Sequence, residues 1–170
     1  MKEKNKDEFY DIINNEIKIV SISENQNVNL YLNQNEYLIG FLENINQSNS
    51  DNLKKYNLDK DVVASFFNKD VIKNILDQAK SNNSINLKKI QLQSNMKISE
   101  VKEKITTSEY LKGSLEYEIY LSRPLISLNN KYAIVSFSKG FKQAMEGGIV
   151  IYENIDLNWK RIKFFDSWIE

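Results

Sequence analysis

Two glutamates, Glu116 and Glu118, alternate within the stretch LEYEIYL, whose aromatic and β-branched content is typical of a β-strand. Side chains two positions apart in a strand lie on the same side, roughly 6.5–7 Å from each other. Carboxyl groups at such a separation can act as acid and base in glycoside hydrolysis. Tyr120 continues the same side, and a solvated strand face accounts for all three residues without a substrate. The pattern therefore leaves two interpretations: a carboxylate-dependent glycan hydrolase, and a polar surface without catalysis.

Histidine and cysteine are both missing from the 170 residues. This composition excludes the common nucleophile–base pairs and nearly all zinc and transition-metal sites, because those need imidazole or thiolate groups. We therefore predict no cofactor, no metal site and no catalytic residue outside the alternative pair Glu116 and Glu118. A non-enzymatic binding or interaction protein is the leading hypothesis.

Net charge and chain length further limit the class of protein that this sequence can encode. The 23 basic residues balance the 23 acidic ones, so nucleic acid is not an expected partner. A chain of 170 residues with 41% hydrophobic residues suits one domain with its own core. Its apolar runs, such as YLIGFL, are much shorter than the roughly 18 residues that cross a bilayer, so we predict no transmembrane segment.

The first residues, MKEKNKDE, are charged and contain no apolar side chain after Met1. Such a start resembles the tether that follows the lipidated cysteine of a bacterial lipoprotein. We therefore predict a flexible charged tether over residues 1–8, a single α+β domain over residues 9–170, and a lipid anchor outside the cytoplasm. The alternative is an ordinary N terminus of a cytoplasmic protein with a frayed tip.

Helical periodicity dominates the first half of the chain. Apolar residues three and four apart predict a helix from Asp7 to about Val20, and a longer apolar stripe predicts helix from Leu58 to Lys80. Asp59 is a candidate cap for the second stretch, and Asn68 is a second cap that would divide it into two short helices. Residues 27–44 are compatible with either strand or helix.

The period changes after Ser84. Alternating apolar residues predict five strands, which are Leu87–Gln93, Leu115–Leu121, Lys131–Phe137, Gly148–Glu153 and Asn158–Phe165. Short turn sequences join the last three, which favours antiparallel neighbours. The predicted fold is therefore α+β, with N-terminal helices packed on a C-terminal antiparallel meander of four or five strands.

The central strands are apolar on both sides, which leaves one sheet face in need of a cover. The N-terminal segments, a curled sheet around a pocket, or a partner could each supply that cover. We predict a binding face that includes Tyr120, Tyr132, Ile134 and Tyr152. Its expected occupant is a protein, an apolar ligand or a second copy of the chain in a homodimer.

The last third of the chain carries LSRPLISLNNKYAIVSF, then GGIVIYE, then NWKRI. This order resembles the C-terminal sheet of uncharacterised exported proteins and lipoproteins of Bacteroidetes. The shared positions are packing and turn residues, so the resemblance implies export but no catalytic residue. The stretch is similar, more loosely, to the cone-shaped fold of the nuclear-transport-factor-like superfamily, which implies a cavity for a small ligand. The Asp–His pairing of that superfamily is absent because the chain has no histidine.

Overall fold

Helices and a single mixed sheet make up the part of the chain that the computed structural model describes, which is residues 5–20, 23, 25–47, 51–81, 84–100, 116–142 and 144–169. The helices are α1 (Asn5–Ile19), α2 (Glu36–Gln47), α3 (Asp51–Lys54), α4 (Lys60–Phe66) and α5 (Lys69–Lys80). The strands are β1 (Val28–Tyr31), β2 (Met96–Ile98), β3 (Tyr117–Leu121), β4 (Leu125–Ile126), β5 (Tyr132–Phe141), β6 (Ala144–Ile155) and β7 (Asn158–Ile169).

The predicted helices are present, and their ends follow the local sequence. Helix α1 begins at Asn5, inside the segment 1–8 that the sequence predicts to be a tether. The long apolar stripe forms two helices, because the Asn68 side chain accepts a hydrogen bond from the Asp70 N–H and starts α5. Asp59 precedes α4, but its side chain makes no capping hydrogen bond.

The sheet confirms the α+β prediction in its coarse form. The order is β2-β1-β3-β5-β6-β7, with β4 paired to β5. Strands β3, β5, β6 and β7 form the predicted antiparallel meander, whereas β1 runs parallel to both β2 and β3. The predicted count of four or five strands was wrong, since the described residues form a seven-stranded sheet. The strands that the count missed, β1, β2 and β4, have four residues or fewer.

The strand predicted at Leu87–Gln93 was also wrong. Residues Leu87–Lys89 form a 3₁₀ turn, and the segment lies against α1. Asn14 of α1 donates to the Lys89 carbonyl and accepts from the Gln91 N–H, at 3.1 and 2.9 Å. The Asn14 amide thus takes the hydrogen bonds that a neighbouring strand would otherwise make.

Helices from within the chain pack on both faces of the sheet at its central strands. Helices α2, α4 and α5 pack on one face over Ile134, Ile149 and Ile151. Helix α1 covers the other face, with Ile12 against Val135 and further contacts to the strands β1 and β3.

The helices on the two sides of the sheet bury three of the four residues of the predicted binding face. Tyr132, Ile134 and Tyr152 are only 4%, 0% and 1% exposed. The first two belong to the α2-side core and Tyr152 to the α1-side core. These three residues therefore do not form the common binding face with Tyr120 that the sequence predicts, because the N-terminal helix already covers the second side.

Candidate functional site

Glu118, half of the predicted carboxylate pair, is buried rather than solvated. It is 2% exposed on the sheet face that also carries Tyr31 and Tyr120. The Tyr120 hydroxyl donates to one carboxylate oxygen at 2.7 Å and the Tyr31 hydroxyl lies 3.4 Å from the other. The Lys142 ammonium lies 3.8 Å away. The solvated-face interpretation is therefore wrong for Glu118.

The tyrosines beside Glu118 act as fixed donors. Their rings stack with centroids 4.5 Å apart. Burial, followed by the neighbouring Glu118 carboxylate, raises the pKa of Tyr31 to about 12 and also raises the pKa of Tyr120. Both hydroxyls therefore stay protonated at neutral pH. Glu118, Tyr31 and Tyr120 form the Glu118 cluster, which joins β1 to β3 at their paired residues.

Glu116 has separate partners. It accepts a hydrogen bond from the amide of Asn29, and the Asn29 oxygen accepts from the Ser99 hydroxyl at 2.9 Å. Asn29 is itself buried. The two glutamates thus hold neighbouring parts of β1, β2 and β3 together, and each has polar protein partners in place of a substrate.

A cavity lies on the sheet face that also carries Glu118, between α2, the turn after α3, and β7. Its volume is about 590 Å³, which is within the range of small-molecule sites. We call it the α2–β7 cavity. Its lining residues are Glu36, Tyr37, Gly40, Phe41, Asn44, Ile45, Lys55, Tyr56 and Asp166.

Asp166 enters this cavity from an irregular point in β7. The β6–β7 register shifts between the pairs Gly147–Trp168 and Ile149–Phe165, so β7 carries an extra residue there. Asp166 has a positive φ of 51°, a left-handed conformation that aspartate adopts more readily than most residues. Bulges of this kind redirect side chains and are common beside functional sites.

Two tyrosines from distant parts of the chain hold the Asp166 carboxylate. The Tyr56 hydroxyl donates to Oδ1 at 2.9 Å, and the Tyr37 hydroxyl lies 2.8 Å from both Oδ2 and the main-chain carbonyl of Asp166. Burial, with Asp166 acting in the same direction, raises the pKa of both tyrosines. Tyr37 and Tyr56 therefore keep their protons, and their hydrogen bonds fix the position of the Asp166 carboxyl group at one side of the cavity.

Gly40 leaves the cavity open. It lies inside α2, has no positive φ, and a Cβ added to it would have no atom within 4 Å. Neither backbone conformation nor close packing explains this glycine, although glycine inside a helix costs about 0.5–1 kcal/mol relative to alanine. What Gly40 does provide is empty space above the helix backbone.

A smaller cavity of about 190 Å³ adjoins the first, because Glu36 and Tyr37 line both. It reaches toward Tyr120, and Trp168 forms part of its wall. The Tyr37 and Trp168 rings meet edge to face with centroids 6.0 Å apart. Tyr120, a member of the predicted binding face, thus lies beside this smaller opening, while Glu116 and Glu118 are not among its lining residues.

The sequence prediction missed Tyr37, Tyr56 and Asp166, whose contacts span more than a hundred positions. Two signals were nevertheless present. Gly40 interrupts the apolar run YLIGFL, and Asp166 interrupts the aromatic strand FFDSW, although aspartate is uncommon inside strands.

Comparisons with protein-family models, with curated proteins and with solved structures found no match to this chain. Among the described residues, no helix combines the length and apolar character needed to span a membrane. In that same part of the chain, acidic side chains do not gather in groups of three or more that could hold a metal ion. Function is therefore inferred from the geometry of the α2–β7 cavity.

Proposed function

We propose that the chain is a non-enzymatic binding protein whose small-molecule ligand occupies the α2–β7 cavity. The main support for the proposal is Gly40. A glycine inside a helix lowers the stability of that helix, and at position 40 the absence of a side chain leaves the cavity open. Asp166 supports the proposal independently, because a bulge and a left-handed backbone direct its carboxylate to the same space.

The lining suits a ligand with an apolar body and one polar end. Phe41 and Ile45 supply apolar wall, while Asp166, Tyr37 and Tyr56 place polar groups together at one side. Polar groups that converge beside an apolar wall can fix the orientation of a small molecule in its site. The proposal needs no chemistry from Glu116 or Glu118, whose carboxylates are engaged elsewhere.

The test is a fragment screen by saturation-transfer NMR on the wild type, Gly40→Ala and Gly40→Met. A methionine side chain at position 40 would extend into the open cavity, so we expect it to weaken the fragments that bind there by about tenfold or more. Alanine adds one methyl group, should stabilise α2 by about 0.5–1 kcal/mol, and should preserve most of the binding. Fragments that bind Gly40→Met as well as wild type, or a screen without hits, would overturn the proposal.

The charged start of the chain, before α1 at Asn5, supports a second part of the proposal, that the native protein is tethered outside the cytoplasm by lipid on a cysteine that these 170 residues do not contain. Metabolic labelling with an alkyne fatty acid in the native host tests this part. We expect labelled protein in the membrane fraction. Unlabelled protein that stays in the cytoplasmic fraction would contradict it and leave the binding proposal unchanged.

A further inference from the structure

The Tyr56 ring already has a cation over its face. The Lys55 ammonium lies 4.5 Å from the ring centroid, at the edge of the α2–β7 cavity. A side-chain hydrogen bond with Tyr56 is the main cause that raises the pKa of Lys55, and the Asp166 carboxylate adds to this in a smaller measure. Lys55 is exposed and has a long, flexible side chain, so its ammonium can move away from the Tyr56 ring at little cost in free energy.

The remaining lining of the cavity also favours positive charge. Its charged lining residues are two with carboxylates, Glu36 and Asp166, and one with an ammonium group, Lys55. Aromatic rings attract a cation through their electron-rich faces, and Tyr37, Phe41 and Tyr56 all line the cavity. An anionic ligand would instead meet two like charges beside the polar side of the cavity.

We infer that the ligand of the α2–β7 cavity carries an ammonium group, primary or quaternary, which replaces the Lys55 ammonium over the Tyr56 ring. This inference rests on the proposed function and adds the chemical class of the ligand. Lys55 then acts as a displaceable internal cation, and the aromatic wall with Asp166 selects a charged head group over a neutral one of equal size.

The experiment compares choline with 3,3-dimethyl-1-butanol, which has nearly the same shape without the charge. Both are titrated into wild type, Lys55→Met and Lys54→Met, with binding followed by ligand-observed NMR. Lys55→Met keeps an unbranched side chain and removes the internal cation. Lys54→Met changes the net charge equally at a neighbour that does not line the cavity.

We expect choline to bind Lys55→Met more tightly than the alcohol does by about two- to thirtyfold, the range of a cation–π contact. Choline should also bind Lys55→Met more tightly than either wild type or Lys54→Met. A further substitution, Tyr56→Leu in the Lys55→Met background, should remove the preference for choline over the alcohol.

Equal affinity for choline and the alcohol in Lys55→Met would overturn the inference, as would no choline binding to that variant, or equal gains in Lys55→Met and Lys54→Met. A preference for choline that survives Tyr56→Leu would overturn it as well. The Gly40→Met comparison separates these results from failure of the proposed function. If fragments still lose binding in Gly40→Met, the cavity binds a ligand of another class.

Discussion

Glu16 illustrates how a single buried carboxyl links the fold to pH. It belongs to α1, is 3% exposed and accepts a hydrogen bond from the Tyr152 hydroxyl. Burial raises the pKa of Glu16 above its ordinary value of 4.5, while the Tyr152 hydrogen bond and the charges of Arg161 and Lys139 act in the opposite direction. The folded protein therefore binds this proton more tightly than the unfolded chain does. Its contribution to stability is present below about pH 4.5 and is lost as the pH rises through the folded-state pKa.

Glu16→Gln should weaken that pH dependence. Glutamine keeps an oxygen that can accept from Tyr152 but carries no charge, so the buried site no longer disfavours neutral pH. We expect the free energy of unfolding of the variant to fall less than that of wild type between pH 4.5 and 8. Urea denaturation at several pH values measures this difference. Parallel curves for the two proteins would contradict the assignment.

Glu118 should contribute to stability through its tyrosine partners. Removing the carboxylate in Glu118→Ala leaves the Tyr31 and Tyr120 hydroxyls without this acceptor, which should cost about 1–3 kcal/mol. Glu43→Ala is a matched control, because Glu43 pairs with Lys80 at the surface, where an ion pair contributes about 0–1 kcal/mol. Denaturant unfolding compares the two variants. Equal losses would show that the buried cluster is not stabilising.

The hydrolase alternative predicts a different result at the same residues. Wild type would cleave a polysaccharide in a broad panel, and Glu116→Gln and Glu118→Gln would each abolish the cleavage without unfolding the protein. The structural role predicts instead that changes at these positions appear in the free energy of unfolding.

At the scale of elements, the glycine pair 147–148 explains how β6 accommodates the aromatic strand β7. A Cβ on Gly147 would lie 2.7 Å from the Trp168 ring and 2.6 Å from the Phe137 carbonyl oxygen. A Cβ on Gly148 would lie 2.4 Å from the Phe164 ring. Aromatic side chains of β7 thus lie against β6 where β6 has no side chains. The pair serves close approach between strands, since neither glycine has a positive φ.

Gly147→Ala should therefore destabilise the sheet. The added methyl group forces the Trp168 ring and the backbone of β5 to move, and overpacking of this kind costs about 1–3 kcal/mol. Gly40→Ala is the opposing control, because the same substitution in open space should stabilise the helix. Thermal unfolding of both variants tests the contrast. A Gly147→Ala protein as stable as wild type would show that the strands separate readily.

Periodicity predicted the long elements because each buries a whole face. Helix α5 and strands β5 and β6 follow this rule, whereas the predicted strands Gly148–Glu153 and Asn158–Phe165 are shorter than β6 and β7, which have 12 residues each. The short strands β1, β2 and β4 depend on neighbours that sequence order does not reveal. The Leu87–Gln93 segment alternates like a strand but bonds to Asn14, a contact 77 positions away in the case of Gln91. The α2–β7 cavity could not be predicted from the sequence for the same reason. Tyr37 and Tyr56 are far from Asp166 in the sequence and contact it only in the folded chain.

At the scale of the whole molecule, β7 is an edge of the sheet that the described residues form, and it carries exposed apolar residues. Ile162, Phe164 and Ile169 are 39%, 43% and 85% exposed. The same strand carries Lys160, Arg161 and Lys163, and its bulges interrupt a regular edge. Basic side chains and bulges are the usual devices against edge-to-edge pairing.

We therefore expect the protein to resist self-association through β7, although the sequence allowed a homodimer. Antiparallel pairing of two β7 strands would bring their basic residues together. Sedimentation velocity should show a monomer at micromolar concentration, and the double variant Lys160→Thr, Lys163→Thr should associate more strongly. A stable wild-type dimer that these substitutions weaken would contradict the expectation.

The central claim is that the α2–β7 cavity is the binding site, and amide chemical-shift mapping tests it most directly. A fragment from the screen is titrated into ¹⁵N-labelled wild-type protein. The proposal predicts saturable shifts concentrated at residues 36–45, 53–57 and 164–168, with little change on the α1 side or at the Glu118 cluster. Shifts centred on residues 29–31 and 116–120, or spread over the α1-covered face, would contradict it and place binding elsewhere on the fold.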